Sequence, residues 1–241
     1  MIISRKALIN SFRQYISLIY KDAMLIMLML APLLCGLFFK FGIPYAQELI
    51  EHYFEMEDIF VPYYLLFDLF LGSITPLLYC FASAYIILGE IDDGISGYLS
   101  VTPLSKKGYL ISRLGLPTLI ASLVSLAAIS IFSLSEISIM YRIGISIMGA
   151  FLGFMEALLV VSIAGNRVEG LAVSKLSGLF FLGLPIPFFV KDGVQYLVSF
   201  LPSFWVAKYA IDHNVVYMLI SIVVSLVWIK LLYKRLIRKL Y

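Results

Sequence analysis

The chain has 241 residues, of which 62% are hydrophobic and 14% charged, with a formal net charge of +3. Water-soluble domains run nearer ~45–50% apolar and ~25% charged, so an ordinary globular domain is excluded and the bilayer is the solvent to reason with. Cys35 and Cys80 are too few for a disulfide framework or a zinc site, and no metal ligand set is expected.

Ahead of the first apolar run, the stretch from Ile3 to Tyr20 places Leu8, Phe12, Tyr15, Ile16 and Ile19 at helical spacing. Arg5, Lys6, Arg13 and Gln14 fall elsewhere on the wheel. The pattern predicts an amphipathic helix lying in the membrane interface; a solvated tail that only supplies positive charge is the plainer alternative. No small-residue cleavage site follows the first apolar run, so the first span is expected to be retained.

Six segments approach the roughly 20 residues that cross a bilayer as helix: about Ala23–Phe39, Val61–Leu88, Leu110–Leu134, Ile143–Ala164, Leu171–Val190 and Val215–Tyr233. The fold class expected is therefore an all-α integral membrane protein of six spans. One transmembrane domain covers 1–241: the interfacial helix at 1–21, the bundle at 22–233 and a basic tail at 234–241. With both termini in the cytoplasm, Arg5, Lys6, Arg13, Lys21, Lys106, Lys107, Arg113, Arg167, Lys175, Lys230, Lys234, Arg235, Arg238 and Lys239 lie inside. Only Lys40, Arg142, Lys191 and Lys208 lie outside, as the positive-inside rule requires. A multi-pass protein of the plasma membrane is the expectation, with Glu48, Glu51, Glu55, Glu57 and Asp58 in an external loop. The basic residues then serve topology and lipid contact, and no nucleic-acid partner is expected.

Between the second and third spans the chain reads GEIDDGISGYLSVTPLSKKGYL over 89–110. Glu90, Asp92 and Asp93 come directly after the membrane, Gly94 and Gly97 permit sharp turns, and Thr102-Pro103 reads as a capped helix start with Pro at the first position. Lys106 and Lys107 suit the headgroups, with Arg113 snorkelling back to the same level. Two readings stand for this segment: a solvated connection whose charges fix topology, and a docking element presenting Tyr98, Leu99, Val101 and Leu104 to a partner. A third, based on the G-x-S-G of Gly94 to Gly97, fails as a serine-protease motif. Its serine lies in a loop, and His52 and His213 belong to segments on the opposite side of the bilayer.

The run Gly89-Glu90-Ile91-Asp92-Asp93-Gly94, Leu99, and Val101-Thr102-Pro103-Leu104-Ser105-Lys106-Lys107 resembles the acidic-Gly to Thr-Pro-Leu-Ser signature of ABC-2 type transporter permeases. The likeness extends over essentially the whole chain, including Leu201-Pro202-Ser203-Phe204-Trp205 before the last span. The chain departs from that pattern at Ile91, where a basic residue is common, at Ile95, where Thr is frequent, and at Gly97, where another acid is frequent. The resemblance implies that Glu90, Asp92, Asp93, Gly94, Tyr98, Leu99, Thr102, Pro103 and Leu104 form the coupling element that meets a cytoplasmic ABC ATPase. It also implies a second permease subunit, identical or related. No cofactor is expected in this chain, ATP and Mg belonging to the partner ATPase. Gly165-Asn166-Arg167-Val168-Glu169-Gly170 continues as Leu171-Ala172 where a P-loop needs Lys and Ser or Thr, so the chain is not expected to be an enzyme. The segment Asn166–Lys175 reads instead as a second inside connection.

Charged residues within spans are costly and mark function by default. Asp68, near the outer end of the second span, is expected to reach the headgroups, whereas Glu156, deep in the fourth, is expected to face the bundle interior. Pro185 and Pro187 should break the fifth span. Beyond them Phe204 and Trp205 are candidates for an outer aromatic gate, a reading compatible with an aromatic belt. The functional expectation is an export permease subunit for a hydrophobic drug, peptide or lipid-like molecule. The alternative is a non-transporting membrane assembly or immunity factor that binds a cytoplasmic partner.

Overall fold

The computed structural model describes residues 5–54, 58–95 and 104–240, and among these every regular element is helical. In chain order they are α1 (Arg5–Lys21), α2 (Ala23–Leu37), α3 (Ile43–Phe54), α4 (Tyr64–Asp92), α5 (Ser105–Leu110), α6 (Leu116–Phe132), α7 (Ile139–Ile163), α8 (Arg167–Ser177), α9 (Ile186–Phe189), α10 (Pro202–Asp212) and α11 (Val215–Leu240). Contiguous helical segments make six candidate spans among the described residues: Ala23–Phe54, Val61–Asp92, Lys107–Phe132, Ile139–Ile163, Arg167–Phe189 and Val215–Lys239.

The centre of the bundle is the pair α4 and α7, which pack most extensively and are buried along most of their length. Lipid tails are as apolar as leucine, so helices in a membrane associate through close packing and polar contacts, and small residues let backbones approach. Helix α7 carries Gly149 and Gly153 one turn apart. A Cβ on Gly149 would lie 2.7 Å from the carbonyl oxygen of Gly72, and one on Gly153 would lie 2.7 Å from that of Pro76. The two helices therefore meet backbone to backbone. Around them α6, α2, α8, α10 and α11 form the outer layer. The first and last spans turn Met27, Leu30, Leu34, Leu219, Val223 and Val227 outward.

Prolines inside the spans are accommodated by local changes in hydrogen bonding. Pro76 has no N–H for the carbonyl of Gly72, and Ser125 on α6 donates its hydroxyl to that oxygen at 2.7 Å. Pro44 and Pro117 each follow a π turn by two residues, after Phe38–Gly42 and Ile111–Gly115 respectively. The wider turn absorbs the missing donor and the bulk of the ring.

Those turns account for the main difference from the sequence expectation. The first span does not end at Phe39; the helix continues through the π turn to Phe54. Glu48 and Glu51 consequently lie on α3 rather than in a loop, Asp58 donates its N–H to Glu51, and Glu55 and Glu57 lie outside the described residues. The segment Asn166–Lys175 likewise differs: it is not a connection but the start of α8, capped by Asn166, which accepts from the Glu169 N–H at 2.9 Å while Glu169 accepts from Asn166 and Gly165. This is a reciprocal capping arrangement. The basic residues at 234–239 belong to α11, and Lys239 donates to the terminal carbonyls of Val161 and Ala164.

Gly153→Val would push a side chain into the Pro76 backbone, which cannot yield as a flexible side chain does. Overpacking of this kind costs roughly 1–3 kcal/mol. A lower thermal unfolding midpoint in detergent micelles is expected, with Gly178→Val, where a Cβ meets nothing within 4 Å, leaving it unchanged.

Candidate functional site

The end of the bundle that carries α1 is organised by one buried ion pair. Helix α4 runs to Asp92 and closes as helices commonly do, with Gly94 in the left-handed region at φ +68 and its N–H bonded to the Ile91 carbonyl at 3.0 Å. One turn earlier, Glu90 turns inward and is 5% exposed. It accepts from Arg113 Nε at 3.0 and 3.1 Å, from Arg113 Nη2 at 2.5 Å and from the Tyr109 hydroxyl at 2.7 Å. Arg113 is 0% exposed and spends its remaining donors on α1, reaching the Ser11 carbonyl at 2.7 Å and Gln14 Oε1 at 3.4 Å. Multiple charge-assisted bonds from a planar guanidinium are the geometry in which a buried pair offsets its desolvation.

This node joins three elements. Ser11 and Ser112 hydroxyls bond at 2.9 Å, tying α1 to the π turn at the head of the third span. Tyr15 and Ser83 bond at 2.9 Å, tying α1 to α4. Burial holds the Tyr15 phenol above its ordinary pKa against the opposing bond from Ser83, so the contact stays neutral. The buried stripe of α1 is Ser11, Tyr15 and Ile19. The apolar face that the sequence predicts is thus the docked one, with Phe12, Tyr15, Ile16 and Ile19 packed beside Ala82 and Ile86 of α4 rather than on lipid alone, and Ser11 and Tyr15 add a polar line to that contact.

A fourth element closes the cluster from the other side. The backbone N–H of Arg167, at the start of α8, donates to Asp92 Oδ2 at 3.1 Å. Its guanidinium lies 5.1 Å from the centre of the Tyr85 ring and against Gly89, where a Cβ would come within 1.9 Å of it. Gly89 is therefore the space into which Arg167 fits.

Several sequence expectations change here. Glu90 is not an acid presented to a partner, because its carboxylate is consumed by Arg113 and Tyr109. Arg113 does not snorkel to the headgroups; Glu90 holds it inside. Leu104, 4% exposed at the head of α5, is packed inward rather than presented. Asp92, Asp93 and Gly94 are exposed on the end of α4. Tyr98, Leu99, Thr102 and Pro103 lie outside the described residues. The signal that would have found the pair is Arg113 itself: an arginine several residues inside a predicted span, with a glutamate at the matching end of the preceding span, needs a partner.

The remaining candidates lie within the spans and at the opposite end. Asp68 does not reach headgroups. It is 1% exposed and caps the turn after α6, accepting from the Leu134 N–H at 2.9 Å, the Ser135 N–H at 2.8 Å and the Ser135 hydroxyl, because three donors converge there that the bilayer cannot satisfy. Glu156 does face the interior, 3% exposed, on the wall of a cavity between α2, α4, α7 and α8. The fifth span gives up regular helix before Pro185, which precedes the short α9 containing Pro187. Phe204 is fully buried, with the Tyr196 and Trp205 rings both edge-on to it. Trp205 donates Nε1–H to the Ser199 carbonyl at 2.7 Å. The expected aromatic opening is, at Phe204, a packed cluster.

Comparison with known proteins places this architecture. The family model described as "Fluoroquinolones export permease protein Rv2686c-like" matches residues 16–233. Two curated relatives from Mycobacterium tuberculosis, the fluoroquinolones export permease proteins Rv2686c of strain H37Rv and MT2760 of strain CDC 1551 / Oshkosh, are each 25% identical over 200 residues. The aligned region is 81% of this chain and 79% of the relative. No solved structure matches.

Separating Glu90 from Arg113 strands a buried charge. Glu90→Leu and Arg113→Leu are each expected to destabilise the protein by roughly 3–5 kcal/mol. The double substitution should cost far less than their sum, a difference read from a double-mutant cycle of unfolding in detergent.

Proposed function

The chain belongs to this family of fluoroquinolone export permeases, and from that membership we propose that it is the membrane subunit of an ATP-driven exporter whose motor is a separate cytoplasmic ABC ATPase. Its basic end faces the cytoplasm, with both termini there, because fourteen of the eighteen Lys and Arg residues then lie inside. A second permease copy, or a close relative, completes the transporter, as the resemblance to ABC-2 permeases implies. Cargo is a hydrophobic or aromatic drug of the kind named for the relatives, or a lipid-like molecule of similar character.

One observation carries the reading: the helix end that displays Asp92 and Asp93 is bolted to the rest of the base by the Glu90–Arg113 node. A force applied at a loosely held loop would be dissipated by local motion. Here a push on the end of α4 is passed to α1 through Ser11, to the third span through Arg113 and to α8 through Asp92 and Arg167. In this mechanism the exposed acids contact the motor, and the buried pair transmits without touching it. ATP binding at the motor then shifts a set of joined elements, opening the bundle outward.

The test is to co-purify the chain with the ATPase encoded beside it and to measure ATP-dependent drug export in reconstituted vesicles. Asp93→Ala, which leaves the Asp92 bond to α8 in place, is expected to weaken binding of the ATPase by about tenfold or more, in the range of lost charge-assisted contacts at an interface, with the fold intact. Arg113→Lys, which cannot reproduce the guanidinium fork, should leave binding in place and depress drug-stimulated ATP hydrolysis. Failure of any ATPase to bind the wild type would return the protein to the role of a non-transporting membrane factor.

A further inference from the structure

A cavity of about 210 Å³ lies between α2, α4, α7 and α8, with Leu28, Leu77, Phe81 and Val160 on its walls, Glu156 on one side and Lys175 at its rim. It opens just beyond the closest approach of α4 and α7. Gly153 abuts Pro76, and the next turn of each helix, bearing Glu156 and Leu77 to Phe81, lines the space.

The depth of this cavity follows from helix geometry. Glu156 precedes the end of α7 at Ile163 by seven residues, and Lys175 follows the start of α8 at Arg167 by eight. At 1.5 Å per residue both lie about 10–12 Å from the basic end, roughly a third of the way across a ~30 Å hydrocarbon layer. Leu28, five residues into α2, is at a similar level. The cavity is thus within reach of molecules dissolved in the leaflet that adjoins the basic end.

We propose that this cavity binds the cationic end of an amphiphilic amine, with Glu156 as its charge partner and Phe81 as an aromatic wall. A carboxyl 3% exposed, in a cavity whose walls are mostly Leu, Val, Ala and Phe with Ser174 on the α8 side, is matched by a weakly hydrated organic cation. Such a ligand brings its charge to the carboxylate while its apolar substituents fill the remaining space. A metal ion is a poor fit, because the walls offer too few oxygen donors. The ring of Phe81 adds a face that favours a substituted ammonium. Lys175 is exposed at the rim, so it repels a second positive charge and suits an anionic group carried further along the same molecule. The volume is below the ~300 Å³ at which drug-sized pockets begin, so the site takes the amine end while the body of the ligand extends past Lys175. Only the naming of this ligand as cargo rests on the export reading; binding itself does not.

The experiment uses the full chain in lipid nanodiscs, without the ATPase, and reads modification of Glu156 by a hydrophobic carbodiimide through peptide mass spectrometry. Phenyltrimethylammonium is the probe and tert-butylbenzene its uncharged counterpart. The cation is expected to slow modification of Glu156 at least about tenfold at saturation, and the uncharged molecule to leave it unchanged, the difference being the charge pairing. Saturation-transfer NMR of the same cation should show binding weakened about tenfold or more in Glu156→Gln and partly kept in Glu156→Asp, which retains the charge but shortens the reach. Equal rates with and without the cation, equal protection by the uncharged molecule, or a Glu156 that the carbodiimide never modifies would each overturn the site. Because no motor is present, any of these results would leave assembly with the ATPase standing, and loss of that assembly would leave cation binding standing.

Discussion

The structure depends on the backbone contact between α4 and α7. In water, burial of apolar side chains would hold such helices together over a range of distances; in a bilayer that drive is absent, and association rests on close packing and on polar contacts. Gly149 and Gly153 remove the side chains that would keep the carbonyls of Gly72 and Pro76 away. The crossing fixes where each neighbour can pack. It sets Ser125 of α6 against the Gly72 carbonyl that Pro76 leaves without a helical donor. Beyond it, the next turn of each helix lines the cavity beside Glu156.

Backbone accounting explains much of what looks irregular. Every N–H and C=O at membrane depth must be satisfied within the protein, and the chain meets this with a small set of devices. The π turns before Pro44 and Pro117 re-space the ladder. Thr75 and Thr118 bond the carbonyls one turn back, at Leu71 and Leu114, each at 2.7 Å. Asp68 takes the free N–H groups of the turn at Leu134 and Ser135, and Lys239 takes the last carbonyls of α7. Two of these devices, Asp68 and Lys239, are ionisable side chains that the sequence assigns to the membrane surface and that the structure turns onto backbone groups.

The base of the bundle uses charge differently. A buried ion pair contributes little net stability against a well-packed apolar alternative, but it is costly to separate and tolerates few geometries. At Glu90 and Arg113 that property makes a joint: α1, α4 and the third span are held in one relative placement because the guanidinium has a partner in each direction. Joined elements of this kind are suited to passing a displacement from one end of a helix to several others, which a solvated loop is not. In the proposed coupling to a motor, the exposed acids and the buried acid of one short motif have separate work.

Composition alone determined that the protein lives in a membrane, and the apolar runs determined six spans and their order, because a bilayer demands about twenty apolar residues per crossing and leaves no other use for them. The resemblance at 89–107 pointed to the family, since that motif is contiguous in the chain. What only tertiary structure decided is which charge faces which way. Glu90, Asp92 and Asp93 sit within four residues, yet a helix turns each successive side chain by about 100°, which sets Asp92 on the face opposite Glu90, and Asp93 lies past the helix end, so one acid is buried and two are exposed. The partner that gives the inward direction its meaning, Arg113, comes from another span. The length of the first span is decided in the same way: Lys40 lies beyond the expected end at Phe39, and the π turn and the bond from Lys40 to the Ile131 carbonyl of a neighbouring helix carry the chain on through it. Sequence order carries the one-dimensional constraint of the membrane, whereas pairing across helices is a three-dimensional property that no local pattern records.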